Sequence, residues 1–369
     1  MPKRPLGTDA AGGMSSPTRP TGSLGDIMPN ISTPSASEVV MTDFTPLQRV
    51  LLTANGNLQR LVSSYHNAPV SVSILKNERV ADGRFSREVS ISVFGVVFAT
   101  ARSTISVDCA DYITAIVEKG LGIGQLFRHL CILPTFELAA AGRIACSAAS
   151  DDGLERLLAD ASGGCFWRDY VLHGPDLKCE IREVIRSDVF AMQRPEGYED
   201  PIESPSQSMG DIMAPNVTFQ PLPEGFEPVQ RMLLTANGNV ERILSSYYAK
   251  PLQLYVVLNH KRAASVYDRQ SIMLYEGRQL MLAKTTAFIS KPEWSEALDE
   301  PGIHLGALFS RFGELPVFTL HATGEGPDYF WRQYALTASG MTCLVNETFS
   351  KASLAPLSST ATHASPRVT

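Results

Sequence analysis

One segment of the chain occurs twice, and this repeat limits the folds that the sequence can adopt. Residues 46–66 and 228–248 are identical at 14 of 21 positions at an offset of 182, and the match continues without a gap to Gly142 and Gly324. Beyond these glycines the offset drops from 182 to 164, so the first copy holds 18 extra residues within 143–165. A repeat of this length marks a repeated structural unit, which predicts two copies of one domain.

Composition separates two domain-sized segments from two tails and a linker. Residues 1–43, 191–225 and 351–369 are dominated by Pro, Ser and Gly, which offer little apolar surface for a core. We therefore expect 1–43 and 351–369 to be disordered tails and 191–225 to be a linker between the domains. Residues 44–190 and 226–350 are each of ordinary domain size. We expect these two domains to pair with each other within the chain.

Charge and hydropathy exclude several classes of protein. The net charge is −6, and no run of Lys and Arg provides the basic surface that nucleic-acid binding requires. No apolar stretch reaches the roughly 18–20 residues of a membrane span, and the N-terminus lacks the apolar core of a signal peptide. We therefore expect a cytoplasmic protein without nucleic-acid or membrane partners. In that compartment the six cysteines are expected to be reduced, and the scattered histidines indicate no metal site.

Hydrophobic periodicity predicts mixed α+β structure in each copy. In the first copy the apolar face of 58–66 indicates a helix after Asn57, whose side chain can cap it. Period-2 alternation predicts strands at 70–75, 87–94, 96–105, 134–142, 166–173 and 178–185. One of these strands contains a Phe-Trp-Arg triplet that recurs at 330–332, and we expect its arginine to point outward.

Two strands of each copy carry a charged residue on an otherwise apolar face. Arg87 and Glu183 alternate in phase with the apolar residues of their strands, and Arg269 and Glu347 repeat the pattern in the second copy. Burying an ionised side chain costs free energy unless the side chain is paired, so these positions require an explanation. Apolar residues such as Leu344 also occur on the outer face of the second copy, which predicts a sheet covered on both sides.

Two interpretations of the inward charges remain open. In the first, each copy has inherited a buried Arg–Glu ion pair or a domain contact. In the second, the charges line a pocket in which the Arg binds a ligand carboxylate and the Glu meets a hydroxyl group or a proton. Recurrence of the pattern in both copies favours the pocket.

The order of short motifs in each copy resembles that of the chorismate lyase-like superfamily, which includes bacterial chorismate pyruvate-lyase and the ligand-sensing UTRA domains. In the first copy the matching segments are LLTANGN at 51–57, REVSI at 87–91, ATARST at 99–104, GIGQLF at 122–127 and REVI at 182–185. In the second copy they are LLTANGN at 233–239, RQSIM at 269–273, AKTT at 283–286, HLGALF at 304–309 and NETF at 346–349.

The resemblance implies that each copy is an antiparallel sheet with helices packed around an enclosed pocket. The Arg would hold a carboxylate and the Glu would face a hydroxyl group of the ring, which implies catalytic roles for Arg87, Glu183, Arg269 and Glu347. The resemblance also implies substrate contacts at Asn57, Arg102, Ile123, Asn239, Lys284 and Leu305.

Together these features predict an enzyme that uses no metal or cofactor and acts on a small anionic ring compound. The expected reaction is elimination or cyclisation, with chorismate or an aromatic or polyketide-derived compound of secondary metabolism as the substrate. The alternatives are a pericyclic cyclase unrelated to chorismate and a non-enzymatic, UTRA-like ligand-binding protein. The cleaner alternation of the first copy predicts that this copy is the active one.

Overall fold

Both copies contain the same succession of helices and antiparallel strands. A computed structural model gives the fold over residues 43–109, 112–113, 123, 126–127, 133–145, 153–200, 213–214 and 217–354. Most of the tails predicted at 1–43 and 351–369 fall outside these residues. Within them the chain forms two antiparallel sheets with helices, so the predicted α+β class is confirmed.

Each copy begins with two short helices. The described helices are α1 (Pro46–Leu52), α2 (Leu58–His66), α3 (Pro228–Leu234), α4 (Val240–Tyr248), α5 (Pro292–Asp299) and α6 (Leu305–Phe312). Short 3-10 helices occupy Glu155–Leu158, Val189–Ala191 and Lys351–Leu354. The helix predicted at 58–66 is confirmed as α2. The additional helix α1 begins with a capping box, in which Thr45 and Gln48 bond each other's backbone N–H groups.

The two sheets have the same topology. The first contains β1 (Val70–Ala81), β2 (Arg84–Val93), β3 (Val96–Val107), β4 (Thr135–Ile144), β5 (Cys165–Gly174) and β6 (Leu177–Arg186), with short linker strands β7 (Met213–Ala214) and β8 (Val217–Thr218) at its edge. The second contains β9 (Gln253–Ala263), β10 (Val266–Tyr275), β11 (Arg278–Ile289), β12 (Val317–Glu325), β13 (Tyr329–Thr337) and β14 (Met341–Ser350). The strand order is 4-5-6-3-2-1 in the first sheet, followed by 8 and 7, and 12-13-14-11-10-9 in the second.

One face of each sheet is apolar and the other is largely polar, as the alternation of side chains predicts. In β14, Met341, Cys343 and Val345 are buried, whereas Leu344 between them is 48% exposed. The prediction that the second sheet is covered on both sides is therefore wrong. Its outer face meets solvent because the other copy packs against the helices instead.

The two copies are joined through their first two helices. Helix α1 packs against α4, and α2 packs against α3. Buried hydroxyl groups meet across the interface in reciprocal pairs: Thr53 Oγ1 lies 2.6 Å from Ser246 Oγ, and Ser64 Oγ lies 2.6 Å from Thr235 Oγ1. Since Thr53 corresponds to Thr235 in the repeat, and Ser64 to Ser246, the copies are related by an approximate two-fold axis, as in an isologous dimer.

Arginines of α1 and α3 bind the end of a helix in the other copy. Arg49 donates from Nε to the carbonyl oxygen of Ser246 at 2.9 Å and from Nη2 to that of Tyr247 at 2.6 Å. Arg231 makes the equivalent bonds to the last carbonyl groups of α2. The Ser246 and Ser64 carbonyls also accept from the N–H groups of Ala249 and Asn67, the C-terminal cap residues of these helices. The helix ends carry a partial negative charge, which a guanidinium offsets.

A single hydrophobic core runs through both copies. Leu51 and Leu58 of the first copy belong to the same cluster of buried side chains as Leu233 and Ile243 of the second. A separate cluster, which includes Ile105, lies on the inner face of the first sheet. The domains therefore pair within the chain through a shared apolar interior in addition to the hydrogen bonds between their helices.

Part of the linker predicted at 191–225 is built into the first domain. Strand β8 pairs with Val70 and Ser71 at the edge of the first sheet. Further along, the side chain of Asn67 accepts from the backbone N–H of Leu222 and donates to its carbonyl oxygen, both at 3.1 Å. The linker thus covers backbone groups of an edge strand that would otherwise be open to another chain.

The cysteines are not uniformly reduced, contrary to expectation. Cys165 is disulfide-bonded, whereas Cys109, Cys179 and Cys343 are free thiols. The expectation was based on the compartment, which does not determine which thiols the fold brings within bonding distance.

Replacing Arg49 tests the interface between the copies. Arg49→Met removes hydrogen bonds from a charged donor to two carbonyl groups at the end of α4, and we expect the free energy of unfolding to fall by about 2–3 kcal/mol. Urea denaturation followed by circular dichroism measures this loss. Arg79→Met is the control, because Arg79 is an exposed residue of β1 that pairs only with Asp82. Equal stability of the two variants would contradict the assigned role of Arg49.

Candidate functional site

The buried glutamate of the first copy is held by two side chains of the adjacent strand. Glu183 Oε2 accepts from Arg168 Nε at 2.8 Å and lies 2.7 Å from Nη2, while Oε1 accepts from the hydroxyl of Tyr170 at 2.8 Å. Arg168 and Glu183 are direct partners in the pairing of β5 with β6, so their side chains project from the same face of the sheet. Arg168 is fully buried and Glu183 is only 6% exposed.

The same arginine ties the sheet to the end of α1. Its Nη1 donates to the carbonyl oxygens of Leu52 at 3.0 Å and Ala54 at 2.6 Å. Its guanidinium also lies over the ring of Tyr170, 4.3 Å from the ring centre. Arg168 therefore pairs with a carboxylate and binds two carbonyl oxygens. These contacts replace the hydration that its guanidinium loses on burial.

The second copy repeats this network. Arg332 Nε donates to Glu347 at 2.7 Å, the hydroxyl of Tyr334 donates to the same carboxylate at 2.8 Å, and Arg332 Nη1 reaches the carbonyls of Leu234 and Ala236. The inherited ion pair considered for the inward charges is thus present in both copies, but Glu183 and Glu347 pair with the arginines of the Phe-Trp-Arg triplets.

The expectation that the triplet arginine points outward is wrong. Phe166, Arg168 and Tyr170 have the same parity along β5, and all three are buried. The alternation along β5 by itself indicates that Arg168 is buried with its aromatic neighbours. Its partner Glu183 becomes apparent only when the pairing of β5 with β6 is known.

The networks limit proton transfer by the glutamates. Both oxygens of Glu183 accept hydrogen bonds from Arg168 or Tyr170, so side chains of the protein already engage the whole carboxylate. Burial, followed by the charge of Glu183, raises the pKa of Tyr170 well above its usual value. Burial and Glu347 do the same for the pKa of Tyr334. At neutral pH each tyrosine is therefore neutral and donates its hydroxyl hydrogen to the carboxylate beside it.

Arg269 is a further buried charge beneath the second sheet, in addition to Arg332 and Glu347. It is 3% exposed, and it donates from Nη1 to Asn259 Oδ1 at 3.2 Å and to the carbonyl of Leu298 at 3.5 Å, and from Nη2 to the carbonyl of Ile303. All three acceptors are neutral. Burial lowers the pKa of Arg269 from its ordinary value, but a guanidinium remains protonated at neutral pH.

The thiol beside Arg269 provides no counter-charge. Burial raises the pKa of Cys343 to about 12, although the positive charge of Arg269 opposes this, so the thiol is neutral. Glu347 already pairs with Arg332. Among the buried side chains described on this inner face, positive charges therefore exceed negative ones by one.

Arg87 occupies the corresponding position beneath the first sheet. It is 2% exposed, and burial lowers the pKa of its guanidinium, an effect opposed by the nearby Cys179. Arg87 lies opposite Ser103 of β3, and Ser103 lies opposite Ile181 of β6, two residues from Glu183. The backbones at Arg87 and Glu183 are therefore about 12 Å apart. Both oxygens of Glu183 accept hydrogen bonds from Arg168 and Tyr170.

His304 distinguishes the second copy from the first, which has Gly122 at the equivalent position. It precedes α6 and follows Ile303, whose carbonyl binds Arg269. Its Nδ1 atom is buried and has no hydrogen-bond partner. Burial, and then the positive charge of Arg269, lower the pKa of His304, so the ring is neutral at pH 7 and can exchange hydrogen bonds with a ligand near Arg269.

Two of the implied substrate contacts lie on the other face of the sheet. Arg102 is opposite Glu88 in the pairing of β3 with β2, and the two side chains form an exposed ion pair at 3.1 Å. Lys284 is also exposed and lines an open groove of about 430 Å³ on the outer face of the second sheet. Arg102 and Lys284 therefore do not share a site with the buried arginines Arg87 and Arg269. Successive residues of a strand point to opposite faces of the sheet, and these two side chains point to the outer face.

The remaining implied contacts are placed around the helices. Ile123 packs at the border of the cluster beneath the first sheet, and Leu305 is the first residue of α6. Asn57 precedes α2 and Asn239 precedes α4, but neither side chain caps its helix. The structure brings these two asparagines together in one cavity between the copies, although they were predicted to serve separate pockets.

No protein-family model matches the chain, and no curated protein matches it. None of the described helices has the length and apolar character needed to traverse a lipid bilayer. Within the described residues, His, Cys, Asp and Glu form no group of three or more that could hold a metal ion.

Breaking the buried ion pair tests its structural role. Arg168→Met leaves Glu183 as an uncompensated buried charge and removes the bonds to the end of α1, so we expect a loss of about 3–5 kcal/mol in the free energy of unfolding. Arg182→Met on the outer face breaks an exposed pair with Asp169 and should cost at most about 1 kcal/mol. Chemical denaturation of both variants measures the difference, and similar losses would contradict the assignment.

His304 predicts a dependence of stability on pH. Its folded-state pKa is lower than its unfolded-state pKa, so the unfolded chain binds the proton more readily. The contribution of the neutral His304 to the free energy of unfolding is complete above the unfolded-state pKa near 6.5. It is lost as the pH falls through the folded-state pKa. His304→Gln should therefore retain more of its stability than the wild type between pH 7.5 and 5.5, as measured by thermal denaturation. The exposed His260→Gln is the control and should follow the wild type.

Proposed function

We propose that the chain is a cofactor-independent lyase or cyclase of secondary metabolism that acts on a small anionic ring compound, and that each copy has a chorismate lyase-like fold. The topology supports the fold assignment, because each copy combines a six-stranded antiparallel sheet with helices on one face. The REVSI and REVI segments of the resemblance contribute the buried Arg87 and Glu183 to that face in the first copy. In the second copy, RQSIM and NETF contribute the buried Arg269 and Glu347.

The observation that carries the proposal is the unbalanced charge of Arg269. A buried guanidinium surrounded by neutral acceptors is costly, and a ligand carboxylate would offset that cost with short, charge-assisted hydrogen bonds. Arg87 has the same position and burial in the first copy. Each arginine is therefore proposed to bind the carboxylate of the ring compound.

The chemistry proposed is positional and electrostatic. Glu183 and Glu347 each accept hydrogen bonds at both carboxylate oxygens, so neither is assigned proton abstraction. An enclosed site that holds a carboxylate at one end can fix a reactive conformer and stabilise charge that develops at the other. Elimination of pyruvate from chorismate and a pericyclic ring closure both suit such a site. In the second copy, the neutral His304 is the group proposed to meet a ligand hydroxyl.

A UTRA-like binding protein is the second candidate, and the occupied glutamates favour it. The buried carboxylates among the described residues are Glu183 and Glu347, and each is bound by an Arg and a Tyr. An arginine that binds a carboxylate, without a free acid or base beside it, suffices for ligand recognition. The two candidates differ in whether the bound compound is changed.

Arginine variants with defined ligands test the proposal. The wild-type chain should bind chorismate and 4-hydroxybenzoate more tightly than the uncharged benzamide. Arg87→Met and Arg269→Met should each weaken binding at their own site by roughly 10- to 100-fold, because a charge-assisted hydrogen bond contributes about 1.5–3 kcal/mol. Isothermal titration measures the affinities, and coupled detection of pyruvate measures turnover of chorismate.

The controls separate the candidates. Arg182→Met retains the inner face and should bind like the wild type, since Arg182 lies on the outer face. Binding without conversion of chorismate or release of pyruvate would favour the binding protein over the lyase. Unchanged affinity in the Arg87→Met/Arg269→Met double variant would reject both candidates. Comparison of the single variants tests the prediction that the first copy is the active one.

A further inference from the structure

The outer faces of the two sheets differ in charge, although the sheets have the same topology. On the first sheet this face carries three ion pairs, which are Arg102–Glu88, Arg182–Asp169 and Lys178–Glu180. The equivalent residues of the second sheet are, in the same order, Lys284, Gln270, Asn346, Gln333, Thr342 and Leu344. Lys284 is the one charged side chain at these six positions, so the ion pairs of the first sheet have no counterpart there.

The outer face of the second sheet also exposes large apolar side chains. Four of them are at least 40% exposed, and they are Leu258, Phe288, Val317 and Leu344. The first copy has polar or charged residues at the same positions, which are Lys76, Ser106, Thr135 and Glu180. Because the first copy folds without these apolar side chains, the fold itself does not require them. Apolar side chains grouped on one exposed face are typical of an interaction surface.

This face is large enough for a stable interface between proteins. The second sheet has six strands. Strands about 4.8 Å apart, with about ten residues each and a rise of about 3.3 Å per residue, present a face of roughly 900 Å². One partner of a standard interface contributes about 800 Å², and sheets commonly pack face to face.

The two ends of the face are complementary in shape. Phe288 projects at one end of β11, and at the other end β11 and β14 border the open groove of about 430 Å³, whose lining includes Leu282 and Asn346. A two-fold axis that crosses β11 at Thr285 exchanges the ends, because residues at equal distances from the axis meet in an isologous contact. Phe288 of each chain then faces Leu282 of the other. Leu344, in register with the next row of the sheet, faces Asn346.

The same axis brings opposite charges together. Lys284 and Thr286 flank Thr285, so Lys284 of each chain faces Thr286 of the other. Thr286 donates from Oγ1 to Asp268 Oδ1 at 3.1 Å, and Asp268 belongs to the neighbouring strand β10. Asp268 also lies 3.5 Å from Arg262 Nε in an exposed ion pair. Each Lys284 therefore comes close to a carboxylate of the other chain.

We propose that the outer face of the second sheet binds the same face of a second chain about this two-fold axis. The partner is a second chain because one face provides both the projecting side chain and the groove, and both the cation and the anion. Within a single chain this face meets solvent, since the other copy packs against the helices. The charged outer face of the first sheet stays in solvent in the dimer. The inner faces, where Arg87 and Arg269 lie, take no part in the contact.

Analytical ultracentrifugation of the full chain tests the contact. The wild type should sediment as a dimer at micromolar concentration. Phe288→Ser/Leu344→Glu introduces the residues of the first copy, and it should weaken dimerisation by at least about 100-fold, because central apolar anchors dominate the affinity of an interface. Circular dichroism should show an unchanged fold, since the first sheet tolerates the same residues. Glu180→Gln, at the position of Leu344 on the first sheet, is the matched control and should remain dimeric.

Charge reversal tests the position of the axis. Lys284→Glu and Asp268→Lys should each weaken the dimer, because like charges then meet at both ends of the contact. An equimolar mixture of these two variants should form a heterodimer, in which every Lys faces a carboxylate. The mixture is measured by ultracentrifugation beside each variant alone.

The outcomes separate this contact from other surfaces. A wild type that is monomeric throughout the micromolar range overturns the proposal, and so does a Phe288→Ser/Leu344→Glu variant that remains dimeric. A mixture of the charge variants that remains monomeric overturns the two-fold arrangement. Arg87→Met/Arg269→Met should remain dimeric, so the dimer and the proposed ligand sites are tested independently.

Discussion

The reciprocal packing of α1 on α4 and of α2 on α3 is the constraint on which the rest of the molecule depends. The segment 46–66 and its repeat perform three tasks there. They form the interface through Thr53, Ser64 and their equivalents, they supply the carbonyl groups that bind Arg168 and Arg332, and they line a cavity between the copies. A residue of this segment contacts both its own copy and the other copy, so its side chain must be compatible with both environments. This explains why the copies are most alike in this segment and differ more in their strands.

Much of the fold could be predicted from the sequence, because alternation and repetition are local signals. The repeat predicted the duplication, and strand parity placed Arg87 and Glu183 on an inner face. Partners were harder to predict, since they depend on which strands are neighbours. Arg168 lies opposite Glu183 only because β5 pairs with β6, and no spacing in the sequence encodes that adjacency. The role of α1 was missed for the same reason, because the surface it needs belongs to residues about 180 positions away.

Two buried arginines beneath the second sheet, Arg269 and Arg332, differ in what surrounds them, and this difference is the basis for the proposed functional assignment. Arg332 has a carboxylate, two carbonyl groups and an aromatic ring, so its charge is satisfied within the protein. Among the described residues, the acceptors of Arg269 are all neutral. An arginine of the first kind stabilises the fold, and one of the second kind is free to stabilise a ligand. Alternation alone does not separate the two kinds, since both point inward.

Joining both copies in one chain has a consequence for how each can change. In a dimer of identical subunits, every substitution appears on both sides of the axis, so a new side chain must be tolerated twice. When both copies belong to one polypeptide, residues far from the axis can change in one copy without changing in the other. His304 illustrates it, because the second copy carries an imidazole beside its buried arginine while the first retains Gly122. The shared interface thus keeps the architecture symmetric while the two halves acquire separate chemical identities.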